Sequence, residues 1–180
     1  MKSKDALSAD KNKQGSDLLT AIVYAGVAAG VLDAVDGVLA YYLSFGMNPV
    51  QVLQFIASGA LGEKAFEGGL LTAAVGALFH FFIALVVAAI FCLAACALPI
   101  LVRHRMLIGL AYGATVYLVM NYGVLPLSAV KQAPFSWPLF LNGLIGHAVF
   151  VGLPIAWFAS RPHVAAASVV ARQIVTAQNP

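Results

Sequence analysis

Residues 18–43 read LLTAIVYAGVAAGVLDAVDGVLAYYL, an apolar run that contains two aspartates, Asp33 and Asp36, and no lysine, arginine or histidine. About 20 consecutive apolar residues are enough to cross the hydrocarbon core of a bilayer as a helix. The run therefore predicts a transmembrane helix. Because an isolated charge inside a membrane costs several kcal/mol, the two carboxylates need partners within the protein.

The rest of the chain has the same apolar character. Of its 180 residues, 62% are hydrophobic and only 9% are charged, and its mean hydropathy is +0.92, well above the usage of soluble domains. Three further stretches are long enough to span a membrane: 69–101, 106–127 and 138–160. We predict an all-α, polytopic membrane protein with a four-helix transmembrane domain over 18–160, a polar basic segment at 1–17 and a cytoplasmic tail at 161–180.

The distribution of basic residues predicts the orientation, because lysine and arginine accumulate on the cytoplasmic side. With the N-terminus inside, the cytoplasmic side holds Lys2, Lys4, Lys11, Lys13, Arg103, Arg105, Arg161 and Arg172. Only Lys64 and Lys131 then lie outside. We therefore expect a multi-pass protein with both termini in the cytoplasm. Topology accounts for the net charge of +3, and without a basic face the chain is not expected to bind nucleic acid.

The segment between the first two spans, NPVQVLQFIASGALGEKAFEGG at 48–69, predicts a short helix. Asn48 is a suitable N-cap, and Pro49 suits the first helical position. Its apolar residues fall on one helical face and its polar residues Gln51, Gln54 and Ser58 on another. We predict an amphipathic helix that lies on the outer membrane surface or over the mouth of the bundle.

Each predicted span carries a polar residue on, or beside, a stripe of small residues, along which membrane helices pack closely. These stripes include Gly30 with Asp33, Gly76 with His80, Gly113 with Asn121, and Gly143 with His147. A rise of about 1.5 Å per residue places the polar groups at similar depths in the outer half of the bilayer. We predict a buried cluster that forms an ion, proton or ligand site from Asp33, Asp36, His80, Asn121 and His147.

Aspartate beside histidine can exchange a proton near neutral pH, since the carboxylate stabilises the imidazolium while burial opposes both charges. The leading hypothesis is proton- or ion-coupled transport, or pH sensing. No cofactor is required, but His80 and His147 are also suitable axial ligands for a haem b in an electron-transfer protein. Two histidines and a carboxylate would also suit a transition metal. A third alternative is an accessory or structural subunit of a membrane complex.

Motifs typical of enzymes do not occur in the sequence. It contains no phosphate-binding glycine loop, no nucleophile-elbow serine and no His-Glu-x-x-His, so no catalytic residue is assigned and an enzyme is not expected. Four short helices give one chain little room for a transport path. We therefore expect a homo-oligomer or a larger complex within the lipid bilayer.

Three segments carry a resemblance to a known group of proteins: GALFHFFIALVVAAIF, GLIGHAVFVGLPIAWF and YGATVYLVMNYGVLPLS. They resemble uncharacterised bacterial four-helix inner-membrane proteins of the YagU type, over about residues 20–160. The resemblance implies a bacterial inner membrane and supplies no mechanism.

Overall fold

A computed structural model describes residues 2–131 and 134–161 of the chain, with side chains from residue 13 onward except at 14. This part of the chain is helical and contains no strand. Its α-helices are α1 (Lys2–Phe45), α2 (Pro49–Leu61), α3 (Gly69–Ala97), α4 (Ile100–Arg103), α5 (Arg105–Val119), α6 (Leu125–Leu127), α7 (Trp137–Gly146) and α8 (Leu153–Ala159). A 3₁₀ turn covers Gly62–Phe66, and wider π-helical turns cover Met120–Val124 and His147–Gly152.

Within the described residues, four helical stretches are long and apolar enough to cross a membrane: Gly15–Phe45, Gly69–Ala97, Arg105–Leu127 and Trp137–Ala159. The predicted all-α, four-span fold with a short helix after the first span is confirmed. The second span ends at Ala97 instead of residue 101, because Pro99 cannot continue the helix. The predicted tail lies outside the described residues apart from Arg161.

The two π-helical turns have a local cause in the sequence. Pro126 follows the first of them by two residues, and Pro154 follows the second by the same interval. A proline ring collides with the carbonyl group four residues earlier in an α-helix, and a wider turn just before the proline relieves this contact. The third and fourth spans are therefore both wider than an α-helix in the turns that precede these prolines.

Glycine lets the spans approach closely, as the stripes predicted. A Cβ at Gly30 would lie 2.9 Å from the Phe81 ring, and a Cβ at Gly113 would collide with the carbonyl oxygen of His147. Gly37, on the first-span stripe as well, differs because nothing lies within 4 Å of its Cβ position. The tight contacts thus run from α1 to α3 and from α5 to the fourth span.

Helix α2 begins as predicted, and part of its polar face is buried within the protein. The Asn48 side chain accepts a hydrogen bond from the Gln51 amide, and Pro49 is the first helical residue. Gln54 and Ser58, predicted to lie on the polar face, are buried. The Gln54 amide donates to the carbonyl oxygen of Gly69 at the start of α3 (3.0 Å). A helical wheel does not show which carbonyl groups a neighbouring helix leaves available.

The packed core lies toward one end of the bundle. It includes Ala29, Phe91, Cys92 and Ile155, and we call this the basic end because Arg103, Arg105 and Arg161 lie there. The stacking of Tyr24 on Phe158 brings the start of the first span and the end of the fourth together at this end. At the opposite end, called the α2 end, α2 and the loop after α6 cover the bundle. A bond from the Ala129 amide to the Gly59 carbonyl joins them (2.9 Å).

Candidate functional site

A cavity of about 450 Å³ opens between the spans below α2. Its walls come from α1, α2, α3, the third span, the loop after it and the fourth span. Among the described residues, the polar side chains on its wall are Asp33, His80, Ser128 and His147. Three of the predicted site residues, from three different spans, are thus brought to one cavity.

Asp33 and His147 form the closest pair of titratable groups in this cavity. Oδ1 of Asp33 lies 3.4 Å from Nδ1 of His147, and the two side chains are 20% and 22% exposed. Nδ1 of His147 is itself buried and has no hydrogen-bond partner within the described part of the chain. A buried ring nitrogen that faces a carboxylate without a formed hydrogen bond is uncommon, and such atoms call for a water, an ion or a functional role.

The surroundings of His147 fix where its imidazole lies. The residue begins the π-helical turn of the fourth span, and its carbonyl group rests against the bare face of Gly113. The ring of the buried Tyr117 contacts the imidazole, with ring centroids 5.3 Å apart. Tyr117 and the rest of α5 pack against one side of the imidazole, and its Nδ1 edge faces α1 and Asp33.

His80 reaches the same cavity from α3 and also bonds to α1. Its Nε2 lies 2.8 Å from the carbonyl oxygen of Gly30. A carbonyl oxygen only accepts hydrogen bonds, so Nε2 carries the proton in this arrangement. His80 therefore joins two spans, and its Nδ1 is the ring nitrogen that this contact leaves unused.

Asp36 and Asn121 lie elsewhere. Asn142 donates to Oδ2 of Asp36 (3.1 Å), and the carboxylate sits where a Cβ at Gly146 would be. Asn121 donates to the carbonyl group of Tyr117 on its own helix (3.0 Å). Neither residue lies on the cavity wall.

The geometry corrects the prediction of a single buried cluster. Asp33, His80 and His147 share the cavity, whereas Asp36 and Asn121 have separate partners. All of these side chains are partly exposed instead of fully buried. Sequence reasoning also missed Asn142, although an amide inside an apolar span was the signal that selected Asn121.

The donor set does not form the metal site considered from the sequence. Within residues 2–131 and 134–161, no group of three or more histidine, cysteine, aspartate or glutamate side chains is placed to hold a metal ion. Asp33 and His147 are adjacent, but His80 is directed to Gly30.

No protein-family model matches the chain, and no curated protein and no solved structure matches it. The resemblance to YagU-type proteins stays a prediction. The function has to be inferred from the cavity and its side chains.

Proposed function

We propose that this chain is a small proton-coupled transport protein in which Asp33 and His147 bind the coupling proton and His80 completes the site. The observation that carries the proposal is the 3.4 Å approach of Asp33 Oδ1 to His147 Nδ1 on the wall of a cavity inside the spans. Ionisable groups within membrane spans are rare and usually mark ion or proton pathways.

The coupling follows from the charge of the pair. Histidine changes its charge between about pH 5 and 8. With the proton on the imidazole, Asp33 and His147 together are neutral, and without it they carry one negative charge. In surroundings of low dielectric, that difference is large enough to change which ion the cavity accepts. The same chemistry would serve pH sensing if no ion crossed.

The orientation and the membrane belong to the same proposal. Arg103, Arg105 and Arg161 lie at the basic end, and Lys64 and Lys131 at the α2 end. By the positive-inside rule we assign the basic end to the cytoplasm, and the resemblance to YagU-type proteins supports a bacterial inner membrane.

We assign the functional unit to a homo-oligomer or a larger complex, because a single chain has little room for a continuous path. Asn142, which bonds to Asp36, is exposed on the side of the bundle. A neighbouring subunit would shield this polar pair from lipid. The particle mass in nanodiscs measures the number of subunits.

Proton flux into liposomes tests the proposal. The purified protein is reconstituted around a pH-sensitive dye, and the flux driven by a pH gradient is recorded between pH 5 and 8, the range in which histidine titrates. Asp33→Asn should reduce the flux roughly tenfold or more, because the amide no longer balances an imidazolium.

Asp36→Asn is the matched control, since it makes the same chemical change one turn away and outside the cavity. It should retain flux close to that of the unmodified protein. Equal flux from the Asp33→Asn variant and the unmodified protein would overturn the proposal and favour an accessory or structural subunit.

A haem between His80 and His147 is the second candidate, favoured by the fact that both imidazoles line one cavity. Each ring has one nitrogen near an acceptor, the Gly30 carbonyl group or the Asp33 carboxylate, and one nitrogen left for iron, as haem-ligating histidines require. Protein from haem-replete cells should then show a Soret band that is lost in His80→Ala. A spectrum without that band ends this alternative.

A further inference from the structure

The wall of the cavity is mostly apolar. Aromatic and aliphatic side chains make up most of its wall, including Phe55, Phe79 and Phe82. Two of its polar side chains are already bonded, since His80 contacts the Gly30 carbonyl group and the Ser128 hydroxyl donates to the Leu125 carbonyl group (2.7 Å). Asp33 and His147 differ in that they face each other without a formed hydrogen bond, and Nδ1 of His147 has no hydrogen-bond partner in the described part of the chain.

The groups around the pair leave its negative charge uncompensated when His147 is neutral. The titratable side chains near it are His80 on α3, Asp36 on α1 and Tyr117 on α5. Among the described residues, α2 and the loop after α6 add no charged side chain to the wall. Within this wall a positive charge must therefore come from a proton or from a ligand.

We propose that the cavity binds a monovalent organic cation with an apolar, aromatic body, and that this cation and the coupling proton compete for the Asp33–His147 pair. The inference rests on the proposed function and names its substrate class. As the cation enters, His147 releases one proton to the solvent, so the total charge in the cavity is unchanged. The phenylalanine rings suit such a ligand, because aromatic faces attract cations.

The size and position of the cavity agree with this ligand. A volume of about 450 Å³ lies within the range of pockets that hold small organic molecules. Near the basic end α3 and α5 are joined, since the Tyr112 hydroxyl donates to the Val87 carbonyl group (2.7 Å). Closer to the α2 end, residues of both helices line the cavity, and one of them, Phe82 on α3, is 63% exposed. The cavity thus reaches the lipid-facing surface. A cation with an apolar body accumulates in the adjoining lipid.

Two ions of the same shape and opposite charge provide the test. The full-length protein in nanodiscs is titrated with tetraphenylphosphonium and, separately, with tetraphenylborate, neither of which titrates in this pH range. We expect saturable binding of the phosphonium ion at pH 8, roughly tenfold weaker binding at pH 5, and release of a growing fraction of one proton per ion bound as the pH is lowered from 8 toward 5. Asp33→Asn should remove the preference for the cation, and Asp36→Asn should keep it.

Each outcome decides a separate point. Equal binding of both ions, or binding of the phosphonium ion that does not change with pH, would overturn the inference and indicate partition into apolar surface. These two measurements use the unmodified protein, so they remain decisive if Asp33→Asn fails to fold. Proton flux without a preference for the cation overturns this inference alone. Absence of flux overturns the proposed function, even where the cation binds.

Discussion

Replacing Gly113 with alanine should lower the thermal unfolding midpoint and reduce proton flux. The new Cβ would collide with the carbonyl oxygen of His147 and lie 2.8 Å from the Cα of Ala148. Both atoms belong to the backbone of the fourth span, which cannot rotate away as a side chain can. Overpacking of this kind costs about 1–3 kcal/mol or more. It also displaces His147, so flux should fall together with stability.

Gly37→Ala is the matched control for this variant. Nothing lies within 4 Å of its Cβ position, and alanine is favoured over glycine inside a helix by about 0.5–1 kcal/mol. This variant should unfold at the same temperature as the unmodified protein, or slightly higher. Tryptophan fluorescence during heating in detergent measures both. Matching midpoints for the two variants would contradict the close approach of α5 to the fourth span.

Val116→Trp should fill part of the cavity without replacing Asp33 or His147. Val116 on the third span lines the cavity, so an indole at this position would extend into the volume that we propose a ligand fills. We expect the binding of tetraphenylphosphonium and proton flux to fall roughly tenfold or more, because the indole takes up part of the volume that a small organic molecule would fill. Isothermal titration and the liposome assay measure the two effects.

Val119→Trp supplies the comparison. Val119 lies one turn along the same span, is 56% exposed and is not on the cavity wall. Its indole should extend into lipid, and both binding and flux should stay near those of the unmodified protein. If the two tryptophan variants behave alike, the cavity is not the binding site.

The sequence was sufficient to predict the spans, because hydropathy and length determine which segments a bilayer accepts. The second span ends four residues before the predicted boundary, because Pro99 cannot continue the helix, whereas small residues marked where α1 meets α3. The buried face of α2 was not predictable in this way. The sequence places Gln54 on the polar face of α2, but it does not show that the Gly69 carbonyl group at the start of α3 accepts a hydrogen bond from its side-chain amide.

The site was predictable to the extent that helical periodicity determines it. Stripe and depth together selected Asp33, His80 and His147, and the structure has all three on the wall of one cavity. They did not distinguish Asp36 from Asp33. The two residues lie about 60° apart around the helix, and this difference directs Asp36 to Asn142. Asn121 lies off the cavity wall for another reason: its side-chain amide donates a hydrogen bond to the backbone of its own helix.

The uneven packing of the bundle has a mechanical consequence. Alanine, phenylalanine and isoleucine side chains fill the basic end, and the Tyr112–Val87 bond fastens α3 to the third span there. The other half is hollow, and its cover is joined by the Ala129–Gly59 bond and an exposed ion pair between Lys131 and Glu63. We expect the ends of the four spans nearest α2 to move apart more readily than their basic ends, which stay packed together.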